Sequence, residues 1–212
     1  MTINKKKVLI FIVVSAMLVA LTTIILCHKL HKNTFVGPQY KEVIYPTPNI
    51  DSAQVNAVQG VILHHTAEPT IENALAILSS PEKKVGTHVV IDTDGTRYIM
   101  AKPSVVTYHA GYSILDGRER CNEFTIGIEF QGNTLKRPLT KEQIQSGIEY
   151  LIPIMKEYNI PMNHIVTHKM VRNEYKKKYP EKKCFGKVDI SDTEYQRFMH
   201  ELKKHDDIYN RD

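Results

Sequence analysis

Residues 108–132 read YHAGYSILDGRERCNEFTIGIEFQG, and the end of this stretch, residues 125–130, predicts a β-strand. Apolar and polar residues alternate there, and successive side chains of a strand point to opposite faces. The apolar face carries Ile126, Ile128 and Phe130, and the other face carries Thr125, Gly127 and Glu129. The pattern predicts a strand with one apolar face and with a carboxylate on its polar face.

Strand-like and helix-like segments alternate on both sides of this strand. Short apolar runs predict buried strands, and Asp94-Gly95 predicts the turn of a hairpin. Thr140 and Gln143 have the spacing of a capping box at the start of a long helix, in which Pro153 should introduce a kink. Strands are expected at 61–63, 89–91, 97–100 and 165–166, and helices at 71–79, from 140 and at 191–204. The alternation favours an α/β fold, with a central mixed β-sheet flanked by helices.

The N-terminus carries an apolar run, Val8–Cys27, without charge, Gly or Pro. Twenty helical residues span roughly 30 Å, the thickness of the hydrocarbon core of a bilayer. The run predicts an uncleaved transmembrane helix, because a cleavable signal usually has a shorter apolar region followed by small residues. Lipid attachment at Cys27 is a weaker alternative, since Leu26 precedes it. The lysines at 5–7 favour a cytoplasmic N-terminus and a domain outside the membrane.

The net charge of the chain is concentrated in its first residues. The sequence contains 28 Lys and Arg against 23 Asp and Glu, a net charge of +5. Residues 1–32 contain five lysines and no acidic residue, so residues 33–212 are formally neutral. Nucleic-acid binding would favour a basic patch on the domain. We therefore expect no nucleic-acid partner, and nothing in the sequence implies a protein partner.

Composition divides the chain into four parts. Residues 1–32 are the membrane anchor or signal. Residues 33–57 contain three prolines without sustained periodicity and predict a linker. Residues 58–205 predict a single folded domain, and residues 206–212 a polar tail.

Three side chains are candidate metal ligands. His64 ends the first predicted strand of the domain, His168 ends the last, and Cys184 lies in a loop that contains Lys and Gly. Imidazole and thiolate are ligands of Zn²⁺, and catalytic zinc sites use three protein ligands and leave one position for water. The long spacing leaves an alternative open, namely a hydrogen-bonded histidine pair and a cysteine packed as a small apolar residue.

Glu129 and Lys182 are candidates for the chemistry beside such a metal. A carboxylate near bound water could act as a general base, and an ammonium group two residues from Cys184 could stabilise an oxyanion. The alternatives are a structural carboxylate paired with a cation, and a basic solvated loop that includes Lys182.

Three segments resemble the zinc-dependent N-acetylmuramoyl-L-alanine amidases. Residues 108–132 resemble a signature segment of this family, Val61–Thr66 (VILHHT) its first-ligand strand and Val89–Gly95 (VVIDTDG) its following hairpin. The resemblance covers about residues 59–198. Its nearest branch is the anhydro-muropeptide amidases, and the family also includes amidase-type phage lysozymes and peptidoglycan recognition proteins.

The resemblance implies a role for each candidate residue, with zinc as the cofactor. Position by position, His64, His168 and Cys184 match the metal ligands. Glu129 matches the catalytic base, and Lys182 matches the catalytic lysine. His109 lies in the signature segment and is expected to line the substrate cleft, with a structural hydrogen-bonding role as the alternative.

The region of the third ligand departs from the family pattern. His168 and Cys184 are farther apart than usual, Phe185 replaces a proline, and residues 171–181 resemble an insertion. Asp189 is therefore the alternative third ligand.

The predicted reaction is hydrolysis of the amide bond between the N-acetylmuramoyl lactyl group and L-alanine, in peptidoglycan or muropeptides. Residues 58–205 would form the catalytic domain, anchored to the membrane on its extracytoplasmic side. The alternative is a peptidoglycan-binding module without activity.

Overall fold

Ten strands and four helices are found among the residues that the structure describes. This computed structural model describes residues 40–182 and 189–209, with side chains described to residue 205, together with Val19, Thr22 and Thr23. The strands are β1 (Glu42–Ile44), β2 (Ile50–Val55), β3 (Gly60–His65), β4 (Val89–Ile91), β5 (Arg97–Ile99), β6 (Val105–Thr107), β7 (Ile114–Leu115), β8 (Arg118–Glu119), β9 (Thr125–Phe130) and β10 (Ile165–Thr167). The helices are α1 (Ile71–Leu78), α2 (Lys141–Tyr158), α3 (His168–Lys178) and α4 (Asp192–Tyr209).

Six of the strands form one mixed sheet in the order β1-β5-β4-β9-β3-β10. β4 and β5 are the predicted antiparallel hairpin, and the other neighbouring pairs run parallel. Every residue of β3 and β9 is buried, which is typical of central parallel strands covered on both faces. The parallel strands β9, β3 and β10 place their carboxyl ends at one edge of the sheet.

The face of β9 that was predicted to be apolar packs against α2 and α4. Ile126, Ile128 and Phe130 lie in the largest buried cluster, together with apolar residues of both helices. The capping box predicted at Thr140 is present, with the Thr140 hydroxyl accepting from the Gln143 N–H and the Gln143 side chain accepting from the Thr140 N–H. The alternation in β9 and the capping box at Thr140 are therefore confirmed as predicted from the sequence.

The opposite face of the sheet is covered by α1, by α3 and by the segment between β6 and β9. Leu75 and Leu78 of α1 pack against Val90, and Val171 of α3 lies in a cluster with Ile62. The α/β prediction with a central mixed sheet flanked by helices is thus confirmed.

One boundary differs from the sequence-based prediction. The linker predicted over 33–57 is too long, because β1 pairs with β5 and β2 pairs with β6. These short strands are held by non-local pairing rather than by a strong pattern of their own. The segment 171–181, predicted as an insertion relative to the family, is mostly helical in α3, with Tyr175 buried against the domain, and its being an insertion stays a prediction.

The predicted span Val8–Cys27 lies outside the described residues, apart from Val19, Thr22 and Thr23. Within the part of the chain that is described, no helix is long and apolar enough to cross a membrane.

Candidate metal centre and active site

The two histidines predicted as metal ligands lie side by side at the carboxyl edge of the sheet. The parallel register pairs Leu63 of β3 with Thr167 of β10. His64 follows Leu63, and His168 follows Thr167 as the first residue of α3. Their ring centroids are 5.2 Å apart. Strand register thus brings together two residues that are distant in the sequence.

Asp189 completes a group of three potential ligands with these histidines. One carboxylate oxygen, Oδ1, lies 3.6 Å from His64 Nδ1, and the other, Oδ2, accepts a hydrogen bond of 3.1 Å from the Lys169 N–H in the first turn of α3. One potential ligand atom from each of His64, His168 and Asp189 lies within 4.8 Å of the other two. His64 and Asp189 are buried, and His168 is half-buried.

The geometry and the chemistry of this group fit a zinc ion. Zinc bonds to histidine nitrogen and carboxylate oxygen are about 2.1 Å long, so ligand atoms around a tetrahedral ion lie about 3.4 Å apart. The His64–Asp189 separation of 3.6 Å is close to this value. Two imidazoles and one carboxylate are also an established catalytic donor set, which leaves a position for water.

The surroundings of Asp189 keep its carboxylate ionised. Burial raises its pKa, but the proximity of His64 and His168 and the hydrogen bond from the Lys169 N–H outweigh burial, and the pKa lies below its ordinary value. Ionised carboxylates are the form that binds metal ions.

Cys184, the predicted third ligand, lies outside the described residues. Its role therefore stays a prediction, whereas the alternative ligand Asp189 lies in contact with His64. Thiolate and carboxylate groups both bind zinc, so residue type did not distinguish the two candidates. The sequence favoured Cys184 because it matches the family's ligand position, two residues after Lys182.

Glu129, the predicted base, lies beside the first ligand. The β3–β9 register pairs Glu129 with His64, and laterally paired residues of a sheet project to the same face. The Glu129 residue is 6% exposed. It lines a cavity of about 300 Å³, whose wall includes Ala74, Ile77 and Val85.

His109, which was expected to line the substrate cleft or to form structural hydrogen bonds, is buried in contact with the first ligand. Its Nδ1 lies 3.2 Å from His64 Nε2, and its Nε2 faces the backbone oxygen and the hydroxyl of Thr125 at 3.4 and 3.3 Å. Burial, followed by the proximity of His64, His88 and His168, holds the pKa of His109 well below its ordinary value. The ring is a neutral, buried neighbour of the first ligand, and no signal in the sequence indicated this contact.

His88 lies behind His109, with 5.7 Å between ring centroids. Its Nδ1 accepts from the Gly127 N–H at 2.9 Å, and its Nε2 faces the Val105 carbonyl oxygen at 2.8 Å. Burial lowers the pKa of His88 to about 4. This histidine is therefore a neutral part of the buried network.

His65 projects to the other face of β3, as expected for the neighbour of His64. Its Nδ1 lies 2.8 Å from the Thr134 hydroxyl and accepts from the Thr134 N–H at 3.1 Å. The Thr134 hydroxyl in turn accepts from the Ser191 N–H. His65 thus links β3 to the segment that follows Asp189.

Lys182, the predicted catalytic lysine, contacts two tyrosines at the C-terminal end of α3. Its ammonium group donates to the Tyr175 hydroxyl at 3.2 Å and lies 4.4 Å from the centroid of the Tyr179 ring. The hydrogen bond to Tyr175 is the main cause that raises the pKa of Lys182. Tyr175 is two helical turns, about 10 Å, beyond His168 along α3. The role of Lys182 at the metal centre stays a prediction.

Comparison with known proteins places this geometry in a family. The Amidase_2 model, described as N-acetylmuramoyl-L-alanine amidase, matches residues 54–186. The chain is 38% identical over 90 residues to the 1,6-anhydro-N-acetylmuramyl-L-alanine amidase AmpD of Haemophilus influenzae, covering 41% of this chain and 47% of that protein. The chain thus spans about half the length of the curated relatives it matches.

Solved structures share the fold. A selenomethionine derivative of AmpD superposes with a TM-score of 0.56 at 22% identity, covering 77% of this chain and 94% of that one. The amidase AmiD of Escherichia coli, in complex with anhydro-N-acetylmuramic acid-L-Ala-D-γ-Glu-L-Lys, gives a TM-score of 0.50 at 22% identity, covering 58% and 53%. The family match covers more than half of the sequence, and the chain belongs to the Amidase_2 family of N-acetylmuramoyl-L-alanine amidases.

Proposed function

We propose that this chain is a zinc-dependent N-acetylmuramoyl-L-alanine amidase, which hydrolyses the amide bond between the muramoyl lactyl group and L-alanine. The observation that carries the proposal is the group His64, His168 and Asp189, which lies beside the buried carboxylate Glu129. Family membership supports the same reaction.

His64, His168 and Asp189 would hold the zinc ion. Asp189 is preferred to Cys184 as the third ligand because its carboxylate already faces His64 Nδ1 and is oriented by the Lys169 N–H. Hydrogen bonds of this kind fix metal-binding carboxylates in place. Bound zinc would lower the pKa of water and polarise the scissile carbonyl group.

Glu129 would transfer the proton. Its carboxylate lies on the same face of the sheet as His64 and borders an open cavity. From there it would accept a proton from the attacking water and deliver it to the nitrogen of the leaving L-alanine. Burial of Glu129 limits competing hydration of its carboxylate.

Lys182 remains a proposed oxyanion-stabilising residue on the family resemblance alone. Its exposed side chain donates to the Tyr175 hydroxyl in this structure. Zinc would otherwise supply the positive charge for the developing oxyanion.

The proposed substrates are muropeptides or peptidoglycan. The relative AmpD is named for 1,6-anhydro-N-acetylmuramyl-L-alanine, and the structural neighbour AmiD was solved with an anhydro-muropeptide. The apolar wall of the cavity beside Glu129 would contact apolar groups of such a substrate, for instance methyl groups near the scissile bond.

We propose in addition that residues 8–27 anchor the enzyme and that its domain lies outside the cytoplasm. The apolar composition of this run and the preceding lysines support the proposal. A reporter fused to the C-terminus, active only on one side of the membrane, tests this orientation.

The amidase activity is tested with the purified full-length chain in mild detergent. The protein, loaded with zinc, is incubated with intact peptidoglycan and separately with soluble anhydro-muropeptides, and mass spectrometry detects peptides with a free N-terminal L-alanine. We expect these products, and we expect their loss with a chelator and in Asp189→Ala. Zinc binding and peptidoglycan binding without products would instead indicate a recognition module.

The variant Cys184→Ala is the matched control for the third ligand. Retained activity and zinc affinity in Cys184→Ala, with loss of both in Asp189→Ala, support the assignment of Asp189. The reverse result would assign Cys184 and overturn this part of the proposal.

A further inference from the structure

Three buried histidines continue inward from the metal centre. His64 contacts His109, and His109 contacts His88, with ring centroids 5.5 and 5.7 Å apart. All three are at most 7% exposed. Only His64 belongs to the group of potential metal ligands. The role of His109, the second of these histidines, follows from its hydrogen bonds.

The surroundings of His109 Nε2 fix the position of its proton. This nitrogen faces the carbonyl oxygen of Thr125 and the Thr125 hydroxyl. The carbonyl oxygen can only accept a hydrogen bond. The hydroxyl donates its single proton to the Cys121 carbonyl oxygen at 2.7 Å, so toward His109 it also acts as an acceptor. Nε2 of His109 must therefore carry the hydrogen.

The position of the proton on His109 determines which ring nitrogen of His64 carries a proton. A neutral imidazole protonated at Nε2 has a lone pair at Nδ1. His109 Nδ1 lies 3.2 Å from His64 Nε2 and so accepts a hydrogen bond from it. His64 then carries its hydrogen at Nε2, and its Nδ1, which faces Asp189 Oδ1 at 3.6 Å, has the free lone pair.

We propose that His109 is a positioning residue, which holds His64 in the tautomer protonated at Nε2 so that Nδ1 binds the metal ion. The inference rests on the metal site of the proposed function. Metal-binding histidines generally donate their second N–H to a protein acceptor, and that bond sets the tautomer and the ring orientation. Here the acceptor is another imidazole, which is itself fixed by Thr125.

The structure around His109 holds its ring in this orientation. A Cβ atom at Gly127 would lie 2.7 Å from His109 Cγ and 2.8 Å from its Nδ1, so only glycine leaves room for the ring against β9. On the backbone side, the Asn122 side-chain oxygen accepts from the N–H groups of His109 and Ala110 at 3.1 and 2.7 Å. The ring is thus fixed by its sheet neighbour and by its own loop.

Zinc affinity of the full-length chain tests the proposal, measured by competition with a chromophoric chelator. His109→Leu introduces an apolar side chain of similar length and removes the Nδ1 acceptor for His64. His109→Asn places an amide oxygen near the position of Nδ1. We expect the zinc dissociation constant to rise about 10–100-fold in His109→Leu. In His109→Asn we expect recovery of most of this loss.

Leu151→Ala is the control for a general loss of stability. Leu151 is fully buried in α2, in the cluster on the other face of the sheet. This variant should be less stable but should bind zinc with unchanged affinity. Equal weakening of zinc binding in His109→Leu and Leu151→Ala would overturn the proposal.

Nitrogen-15 NMR of the zinc-bound protein gives an independent readout of the tautomer. We expect the His64 ring to carry its proton at Nε2 and to show metal coordination at Nδ1. Coordination through Nε2, or unchanged zinc affinity in His109→Leu, would contradict the inference. Failure of the wild-type chain to bind zinc would overturn this inference together with the zinc-dependent mechanism. If zinc binding behaves as expected but no substrate is cleaved, only the proposed function fails.

Discussion

Adjacent residues of the two central strands have opposite surroundings. On β9, Glu129 is paired with His64 and lines a cavity, whereas Phe130 is fully buried between α2 and α4 and contacts Phe198. On β3, His64 faces Asp189, and His65 faces Thr134 on the other side. We call the face that carries His64 and Glu129 at these strand ends the polar face, and the face of Phe130, which joins the largest apolar cluster, the apolar face.

The difference shows how one strand serves stability and chemistry at once. Side chains that alternate along a rigid strand place a reactive group and a core residue only one position apart. The apolar cluster behind the sheet holds the strands in register, and the register sets the distance between His64 and Glu129. Substitutions on the two faces should consequently separate activity from stability.

The largest effect on the polar face is expected for Glu129→Gln. The amide has nearly the shape of the carboxylate but cannot accept the proton of water, so amidase activity should fall about 10²–10⁴-fold. Zinc affinity and the melting temperature should change little. Product formation from an anhydro-muropeptide is the measurement, and activity within tenfold of wild type would exclude Glu129 as the base.

On the apolar face, Phe130→Ala should lower the free energy of unfolding by about 3–5 kcal/mol. The variant removes a fully buried ring from the cluster that includes Phe198. Urea unfolding of the metal-free chain measures the loss. Zinc affinity of the folded fraction should remain near wild type. A decrease of less than about 1 kcal/mol in the free energy of unfolding would contradict the prediction and show that the cluster tolerates the cavity.

The apolar face could be predicted from the sequence because its signals are local. Alternation over residues 125–130 and the capping box at Thr140 each act over a few positions, and both are present in the structure. Strands β1 and β2 were missed because they form by pairing with β5 and β6, which lie far along the chain. Local patterns do not encode such partners.

The site was predicted only in part. His64, His168 and Glu129 could be assigned from the family resemblance, and strand register brings His64 next to both of the others. The choice between Cys184 and Asp189 could not be made from residue type, since both are zinc ligands. The contact of His109 with His64 depends on the backbone conformation of residues 108–125 and on the space that Gly127 leaves for the ring. Periodicity in the sequence indicates neither of these.

The buried histidines predict a pH dependence of stability. Burial lowers the pKa of His88 in the folded chain to about 4, against 6.5 for an unperturbed histidine. Between these values the unfolded chain binds more protons, so stability is retained above pH 6.5 and decreases as the pH falls toward 4. The shift corresponds to about 3 kcal/mol.

The pH dependence is measured by unfolding of the metal-free chain at several pH values, compared with His88→Asn. The variant keeps an acceptor for the Gly127 N–H but does not titrate. Its stability should decrease less than that of wild type on acidification. The contributions of groups that titrate in both proteins cancel in the difference between the two curves. Parallel curves for the two proteins would contradict the prediction.

The smallest expected effect is at the start of α2, on the apolar side of the molecule. Thr140→Ala removes the acceptor for the Gln143 N–H and the hydrogen bond from its hydroxyl to the Thr93 carbonyl oxygen. The free energy of unfolding should fall by about 1–2 kcal/mol, whereas Thr140→Ser, which keeps the hydroxyl, should lose less. Zinc affinity should be unchanged in both, because α2 packs on the face opposite to the ligands. A weaker metal site in Thr140→Ala would instead show that the two faces are energetically coupled through the sheet, and that the separation of stability from chemistry along β3 and β9 is incomplete.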